Sequence, residues 1–285
     1  MPEGPQAALR DGGLRLHLRH GPIDLLIGAE GPGSARETAF AAAARRFDGL
    51  LEGLVAELAL LRAPLAPGLP PPAGAVARRM HGAALAHAGD RFLTPMIAVA
   101  GAVADEILAA MTASAALERA YVNNGGDIAF HLAPGARFTA MIAGLQGQDH
   151  GRVSLGHGDG AGGLATSGRG GRSFSFGIAE AVTVVARTGA GADAAATLVC
   201  NASDLPDHPG IARRPAAELQ PDSDLGDRLV VTGASGLTHA DIARALDGAE
   251  AEARRMLDRG LILGAAMVLG GEMRIAGAGF TGPRR

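Results

Sequence analysis

The order of hydrophobic patterns along the chain most constrains its fold. Apolar residues recur three or four positions apart from Phe47 to Leu61 and again from Met96 to Leu108, which is typical of amphipathic helices. Short β-prone runs separated by glycine or asparagine dominate from Ala120 onward. Because the two patterns do not alternate as β-α-β-α, a doubly wound parallel sheet is disfavoured. We predict a single α+β domain with a mixed or antiparallel sheet packed by helices.

Turn and capping signals predict the individual elements. A hairpin is expected over residues 14–27 with its turn at Gly21-Pro22, after a flexible leader at residues 1–13, so that the domain covers residues 14–285. Ser34 and Glu37 have the spacing of a capping box and predict a long helix that ends before Pro64. The remaining predictions are strands at 120–123, 127–132, 138–143, 173–176, 182–186 and 229–232, helices at 75–88, 95–111, 193–201 and from Thr238 with Asp241, and a final hairpin over 261–278.

Composition excludes several functions. All 26 basic residues are arginine, which removes lysine Schiff-base chemistry and the lysine of a P-loop. The net charge of −3 and the 3% of aromatic residues argue against a nucleic-acid partner, which requires a basic face or stacking platforms. Cys200 is the single cysteine, the N-terminus has no apolar signal core, and the apolar stretches are shorter than a membrane span. We predict a cytoplasmic protein without a membrane segment.

The segment Val122-Asn123-Asn124-Gly125-Gly126-Asp127-Ile128 places amides, glycines and a carboxylate between two β-prone runs. Asn-Gly is a strong hairpin signal. Paired glycines also let a ligand approach the backbone closely, while Asn123 and Asp127 hold its polar groups. From spacing alone the hairpin turn and the ligand site are equally supported.

Asp193 and Thr197 lie four residues apart in an alanine-rich helical segment. Residues at i and i+4 share a helix face, so both oxygens can reach one hard cation. The alternative is that Asp193 caps the N-terminus of this helix while Thr197 faces solvent, and the local pattern favours that alternative.

The loop Thr166-Ser167-Gly168-Arg169-Gly170-Gly171-Arg172-Ser173 combines hydroxyls, flexible backbone and two guanidinium groups. Such a loop can bind phosphate through backbone N–H groups and Arg169 and Arg172; alternatively it is an exposed connection. The G-x-G-x-x-G match at Gly158–Gly163 is interpreted as a flexible loop, since the glycines that follow it exclude the helix of a dinucleotide fingerprint.

Three motifs in this order, V-N-N-G-G-D-I, A-T-S-G and V-T-V-V-A…A-D-A-A-A-T, resemble the ApbE superfamily of FAD:protein FMN transferases. The run from Phe92 to Glu106 and the S-G-R-G-G-R-S-F-S-F-G-I-A stretch are typical of its uncharacterised branch, the UPF0280 family. The resemblance covers about residues 14–280.

The resemblance implies a single domain related to the T-fold, with a flavin dinucleotide between its halves. It also implies that Asp193 and Thr197 bind Mg²⁺ and act in catalysis, while a protein threonine or serine hydroxyl attacks FAD and AMP leaves. The residues that would line the dinucleotide site are Asn123, Gly125, Gly126, Asp127, Thr166, Ser167 and Gly168.

One segment departs from the transferase pattern. Transferases carry H-I-I-D-P between the second and third motifs, whereas Gly171–Val182 contains neither histidine nor proline. Arg169 and Arg172 would replace part of the lost phosphate contacts. Three hypotheses follow: an FMN transferase, a flavin- or nucleotide-binding protein without activity, and a different small-molecule enzyme that reuses the fold. The apolar final hairpin and the Met96–Met111 helix are candidate homodimer contacts.

Overall fold

The computed structural model describes residues 4–66, 68–89, 91–143, 149–171 and 173–282. Its α-helices are α1 (Ala35–Phe47), α2 (Leu50–Ala56), α3 (Leu58–Leu61), α4 (Ala75–Ala86), α5 (Val99–Ser114), α6 (Gly189–Asn201), α7 (Ala216–Leu219) and α8 (His239–Asp258). Its strands are β1 (Gln6–Arg10), β2 (Arg15–His20), β3 (Ile23–Glu30), β4 (Arg119–Asn124), β5 (Asp127–Leu132), β6 (Arg137–Ala143), β7 (Asp149–Gly156), β8 (Gly163–Ser167), β9 (Ala181–Ala186), β10 (Ile211–Pro215), β11 (Leu229–Ala234), β12 (Gly264–Leu269), β13 (Glu272–Gly277) and β14 (Phe280–Thr281).

Contacts divide the chain into two compact units. The first consists of Met1–Phe138, Leu155–Ala165 and Ala186–Asp193, and the second of Thr139–Ser154, Thr166–Val185 and Ala194–Arg285. Helices and antiparallel strands occur in both units, which confirms the predicted α+β class.

In the first unit, β1 to β5 pair in sequence order, each antiparallel to the next. The predicted hairpin is confirmed as β2 and β3, and alternate residues such as Leu16, Leu18 and Leu25 are buried, as expected when one face of a sheet covers a core. Helix α5 packs against α1, α4, β4 and β5. Residues 6–10 form β1, so this part of the predicted leader is structured, because its backbone pairs with β2.

In the second unit, β12 pairs with β9 on one side and β13 on the other, and α8 packs against β12 and β13. The predicted final hairpin and the capping box are both confirmed. Thr238 accepts a hydrogen bond from the Asp241 amide, and the Asp241 carboxylate accepts one from the Thr238 amide at 3.0 Å.

The predicted long helix after Ser34 is wrong, because the structure contains α1, α2 and α3 in its place. Gly49, at φ +69°, breaks the first two apart. Glycine adopts this left-handed conformation without the steric cost that other residues incur. Within the described residues, the Ser34 side chain makes no capping hydrogen bond, so the predicted capping box is also absent there.

The predicted strand at 173–176 is wrong as well. The Ser175 carbonyl of this segment accepts a hydrogen bond from a strand, at the Val231 amide of β11, over 2.8 Å. Side chains at the end of α6 and just after it take several of the amides instead: the Phe176 amide donates to Asn201 Oδ1 at 2.9 Å, and the amides of Ile178 and Ala179 donate to Ser203 Oγ. Side-chain oxygens therefore satisfy the donors that a β-ladder would otherwise use. Strands β7, β8 and β10 lie where the sequence predicted none.

One helical segment of the described chain, Pro95–Ser114, is long and apolar enough to cross a membrane by length and composition alone. This is weak evidence for a membrane, because a core helix of a soluble protein meets the same criteria. Its buried residues include Val103, Ile107 and Met111.

Candidate functional site

The glycine-rich motif forms the tip of the β4–β5 hairpin, as one of the two interpretations of the sequence predicted. Gly125 and Gly126 both have positive φ, at +66° and +116°, and Asn123 Oδ1 accepts a hydrogen bond from the Gly126 amide at 2.8 Å. The Asn124 side chain is buried and donates to the Ala100 carbonyl at 3.1 Å. The hairpin tip is thereby attached to the start of α5.

Asp193 does not cap its own helix. Helix α6 begins at Gly189, four residues before the predicted start, so that Asp193 lies one turn inside it and Thr197 one turn further along the same face. Asp193 Oδ2 instead accepts a hydrogen bond from the Gly101 amide at 3.0 Å, and the Ala100 amide also donates to this carboxylate. Asp193 therefore caps α5.

Negative charge is concentrated around Asp193. Burial raises the pKa of Asp193 well above its usual 3.8, and the charges of Asp127 and Asp105 raise it further, while the amides of Gly101 and Ala100 lower it in part. The structure thus brings Asp127 and Asp193 together, two motifs that are distant in sequence. A divalent cation would stabilise this arrangement, since it favours the ionised carboxylates.

Within the described part of the chain, no group of three or more histidine, cysteine, aspartate or glutamate residues is arranged to hold a metal ion. Any cation at Asp193 would therefore need ligands from hydroxyls, backbone carbonyls or water, as Mg²⁺ commonly has.

The second-unit motif lies at the end of β8. Thr166 Oγ1 is 2.9 Å from Thr183 Oγ1, and the Ser167 hydroxyl hydrogen-bonds the Cys200 thiol. Gly168 packs so closely on the Glu180 carbonyl that a Cβ would overlap it, so a close approach of two backbone segments requires glycine here. Arg172, also predicted to bind the dinucleotide, lies outside the described residues.

In the loop predicted to bind phosphate, some backbone N–H groups are used in hydrogen bonds within the protein. The Arg169 amide donates to the Ala179 carbonyl and the Gly171 amide to the Gly168 carbonyl, both at 2.9 Å, so neither N–H is available to an anion in this conformation. The Arg169 guanidinium forms an ion pair with Glu180 at 3.7 Å. Arg169 Nε is buried without a hydrogen-bond partner among the described residues, which leaves one donor of the predicted arginine available.

Asp105 was missed as a site residue by sequence reasoning. Its carboxylate accepts hydrogen bonds from the amides of Gly189 and Ala190 at 2.8 and 2.9 Å. Burial raises the pKa of Asp105, although these two bonds lower it in part. The available signal was an acidic residue four positions after Gly101 within an apolar helical pattern.

Comparison with known proteins identifies the family. The family described as AbpE bacteria matches residues 6–275. The chain belongs to this family. A UPF0280 protein of Methanopyrus kandleri is 37% identical over 142 residues, which are 48% of this chain and 55% of that protein. A UPF0280 protein of Methanothrix thermoacetophila is 38% identical over 129 residues, 45% of this chain and 51% of that protein. The predicted membership of the UPF0280 family, in the ApbE superfamily, is confirmed.

The chain spans about half of the length of these curated UPF0280 relatives. Among solved structures, the Pseudomonas stutzeri flavinyl transferase ApbE in its apo form aligns with a TM-score of 0.43 and 14% sequence identity. The alignment covers 95% of this chain and 93% of that one.

Proposed function

We propose that this UPF0280 protein binds a flavin dinucleotide together with Mg²⁺ and transfers FMN from FAD to a threonine or serine hydroxyl of an acceptor protein. The observation that carries the proposal is the proximity of Asp193 and Asp127 beside the Gly125-Gly126 turn, where the charge of one carboxylate raises the pKa of the other. The charges of two motifs that carry the family resemblance thus act on each other.

The oxygen donors at Asp193 fit a hard cation. The Asp193 carboxylate accepts hydrogen bonds from the Gly101 and Ala100 amides, and since a carboxylate has about four lone-pair sites, others remain for an ion. Thr197 adds a hydroxyl one turn further along α6. Carboxylate and hydroxyl oxygens suit Mg²⁺, which usually takes one or two carboxylates and keeps several waters. When bound, Mg²⁺ supplies positive charge against a diphosphate.

The proposed reaction needs little covalent participation by the protein. The acceptor hydroxyl oxygen forms a bond to the FMN phosphorus, the bond from that phosphorus to the bridging oxygen breaks, and AMP leaves with that oxygen while the hydroxyl proton is released. Positioning and charge neutralisation supply most of the rate in such transfers. We assign nucleotide contacts to the two glycine-containing motifs of the resemblance, at Asn123, Gly125, Gly126 and Asp127 and at Thr166, Ser167, Gly168 and Arg169.

The test separates binding from turnover. FAD binding is measured by fluorescence anisotropy with and without Mg²⁺, and AMP release by mass spectrometry. We expect Asp193→Asn to abolish Mg²⁺-dependent AMP release, because asparagine keeps an acceptor for the Gly101 amide but loses the charge. Asp247→Asn, the same change at an exposed position of α8, is the matched control and should behave as wild type.

Three outcomes are informative. AMP release that requires Mg²⁺ and Asp193 supports the transferase. Tight FAD binding without AMP release favours the second hypothesis, a flavin-binding protein without activity. The absence of the H-I-I-D-P segment from the sequence supports this hypothesis. Absence of FAD binding at millimolar Mg²⁺ refutes both and leaves a different small-molecule enzyme.

The cytoplasmic location, the absence of nucleic-acid and membrane partners, the homodimer contacts and the domain boundary at residue 14 stay predictions.

A further inference from the structure

Helices α5 and α6 cap each other. The first turn of an α-helix leaves backbone N–H groups without intrahelical acceptors. Asp105, in the second turn of α5, accepts from the Gly189 and Ala190 amides that begin α6. Asp193, in the second turn of α6, accepts from the Ala100 and Gly101 amides that begin α5. Each carboxylate therefore also meets the positive end of the other helix dipole.

Where α5 and α6 cross, their backbones are in contact with no side chain between them. A Cβ on Gly189 would lie 2.9 Å from the Gly101 carbonyl oxygen and 3.1 Å from Asp105 Oδ1. A Cβ on Gly101 would lie 2.7 Å from the Ala190 amide nitrogen. The two glycines thus permit a separation at which both carboxylates reach the opposite helix.

This geometry links the two carboxylates mechanically. The Asp193 carboxylate is held by the Ala100 and Gly101 amides at the start of α5, so its orientation depends on the position of α6 against α5. The paired hydrogen bonds from the start of α6 to Asp105 fix the position of α6 against α5. A helix shift that breaks the Asp105 bonds also moves Asp193.

We propose that Asp105 is a positioning residue that orients the Asp193 carboxylate for cation binding through the mutual capping of α5 and α6. The inference rests on the proposed function, in which Asp193 is a Mg²⁺ ligand. Asp105 itself contacts backbone amides and is assigned no contact with metal or flavin. Residues that support a metal ligand in this way typically change metal affinity about 10–100-fold when they are replaced.

Three variants separate position from charge and from stability. Asp105→Asn removes the paired acceptor and one negative charge. Gly189→Ala retains every charge but pushes the start of α6 away from Asp105 and Gly101. Glu106→Gln, next to Asp105, breaks the ion pairs of Glu106 with Arg46 and Arg79 without touching α6, and so is the control for lost stability.

Two measurements do not depend on turnover. Mn²⁺ alone is titrated into each folded variant, with the free ion followed by electron paramagnetic resonance, and hydrogen exchange reports the amides of Gly189 and Ala190. We expect about a tenfold or greater rise in the Mn²⁺ dissociation constant for Asp105→Asn and for Gly189→Ala, with faster exchange at the start of α6. Glu106→Gln should change the constant less than twofold.

The results distinguish the inference from the proposed function. Mn²⁺ binding by wild type that Asp105→Asn leaves unchanged overturns the positioning role and leaves the metal site intact. A weakening in Asp105→Asn without one in Gly189→Ala shows that only charge matters, and also overturns it. If Asp105→Asn does not fold, Gly189→Ala decides alone. Absence of Mn²⁺ binding by wild type overturns the metal site together with the inference.

Discussion

Replacing Gly101 with alanine tests the close helix crossing directly. The new Cβ would lie 2.7 Å from the Ala190 nitrogen and closer still to the Gly189 carbonyl. Ordinary contact begins at 3.4 Å, so the Ala190 nitrogen must move by about 0.7 Å and the closer Gly189 carbonyl by more. Both neighbours are backbone atoms, which cannot rotate away as a flexible side chain can. The Gly101 amide also donates to Asp193, so the shift strains this hydrogen bond as well.

The expected net effect is a loss of stability. Overpacking a close contact costs about 1–3 kcal/mol, and a weakened hydrogen bond to a charged acceptor costs about 1 kcal/mol or more. Alanine regains about 1 kcal/mol through its higher helix propensity. We therefore expect Gly101→Ala to lower the free energy of unfolding by about 2 kcal/mol.

Gly82→Ala is the matched control. Gly82 is an exposed residue inside α4, and its Cβ would meet no described atom within 4 Å. The same substitution there should raise the free energy of unfolding by about 0.5–1 kcal/mol. Urea unfolding should be followed by far-ultraviolet circular dichroism, because the chain has no tryptophan and one tyrosine. Equal or higher stability of Gly101→Ala relative to wild type would refute the described crossing.

Three further predictions concern charge, capping and burial. Burial alone would raise the pKa of Glu106, but hydrogen bonds from Arg79 and Arg46 outweigh it and hold the pKa below its usual 4.5. The stability that this carboxylate contributes is therefore present above pH 4.5 and is lost as the pH falls. In urea unfolding, Glu106→Gln should cost more free energy at pH 7 than at pH 3, and a loss that does not change with pH contradicts this. Thr238→Ala should cost about 1 kcal/mol in thermal unfolding because its capping bond is lost, whereas Ser34→Ala should change stability by less than about 0.5 kcal/mol; equal losses would contradict the different caps. Burial raises the pKa of the Cys200 thiol, so native protein at pH 8 should react with a thiol reagent far more slowly than urea-unfolded protein, and rapid native labelling would contradict the buried position.

Local signals predicted much of the fold. The hairpins β2–β3, β4–β5 and β12–β13 follow from β-prone runs on either side of glycine turns, and the α8 cap follows from Thr238 and Asp241. These features depend on residues close together in the sequence, where turn and capping preferences act directly. The strand predicted at 173–176 is wrong because Asn201 and Ser203 supply acceptors for the Phe176 amide and for the amides just after it, which no local pattern indicates.

The sequence by itself determined the family, the α+β class and the motif that contains Asp193 and Thr197. Only the tertiary structure decided what Asp193 touches: Gly101 lies 92 residues earlier in the chain, and Asp105 lies 84 residues before the Gly189 amide that it binds. Periodicity reports which face of a helix is buried, not which helix covers it. The mutual capping depends on that long-range choice, because the acceptor of each helix start belongs to the other helix.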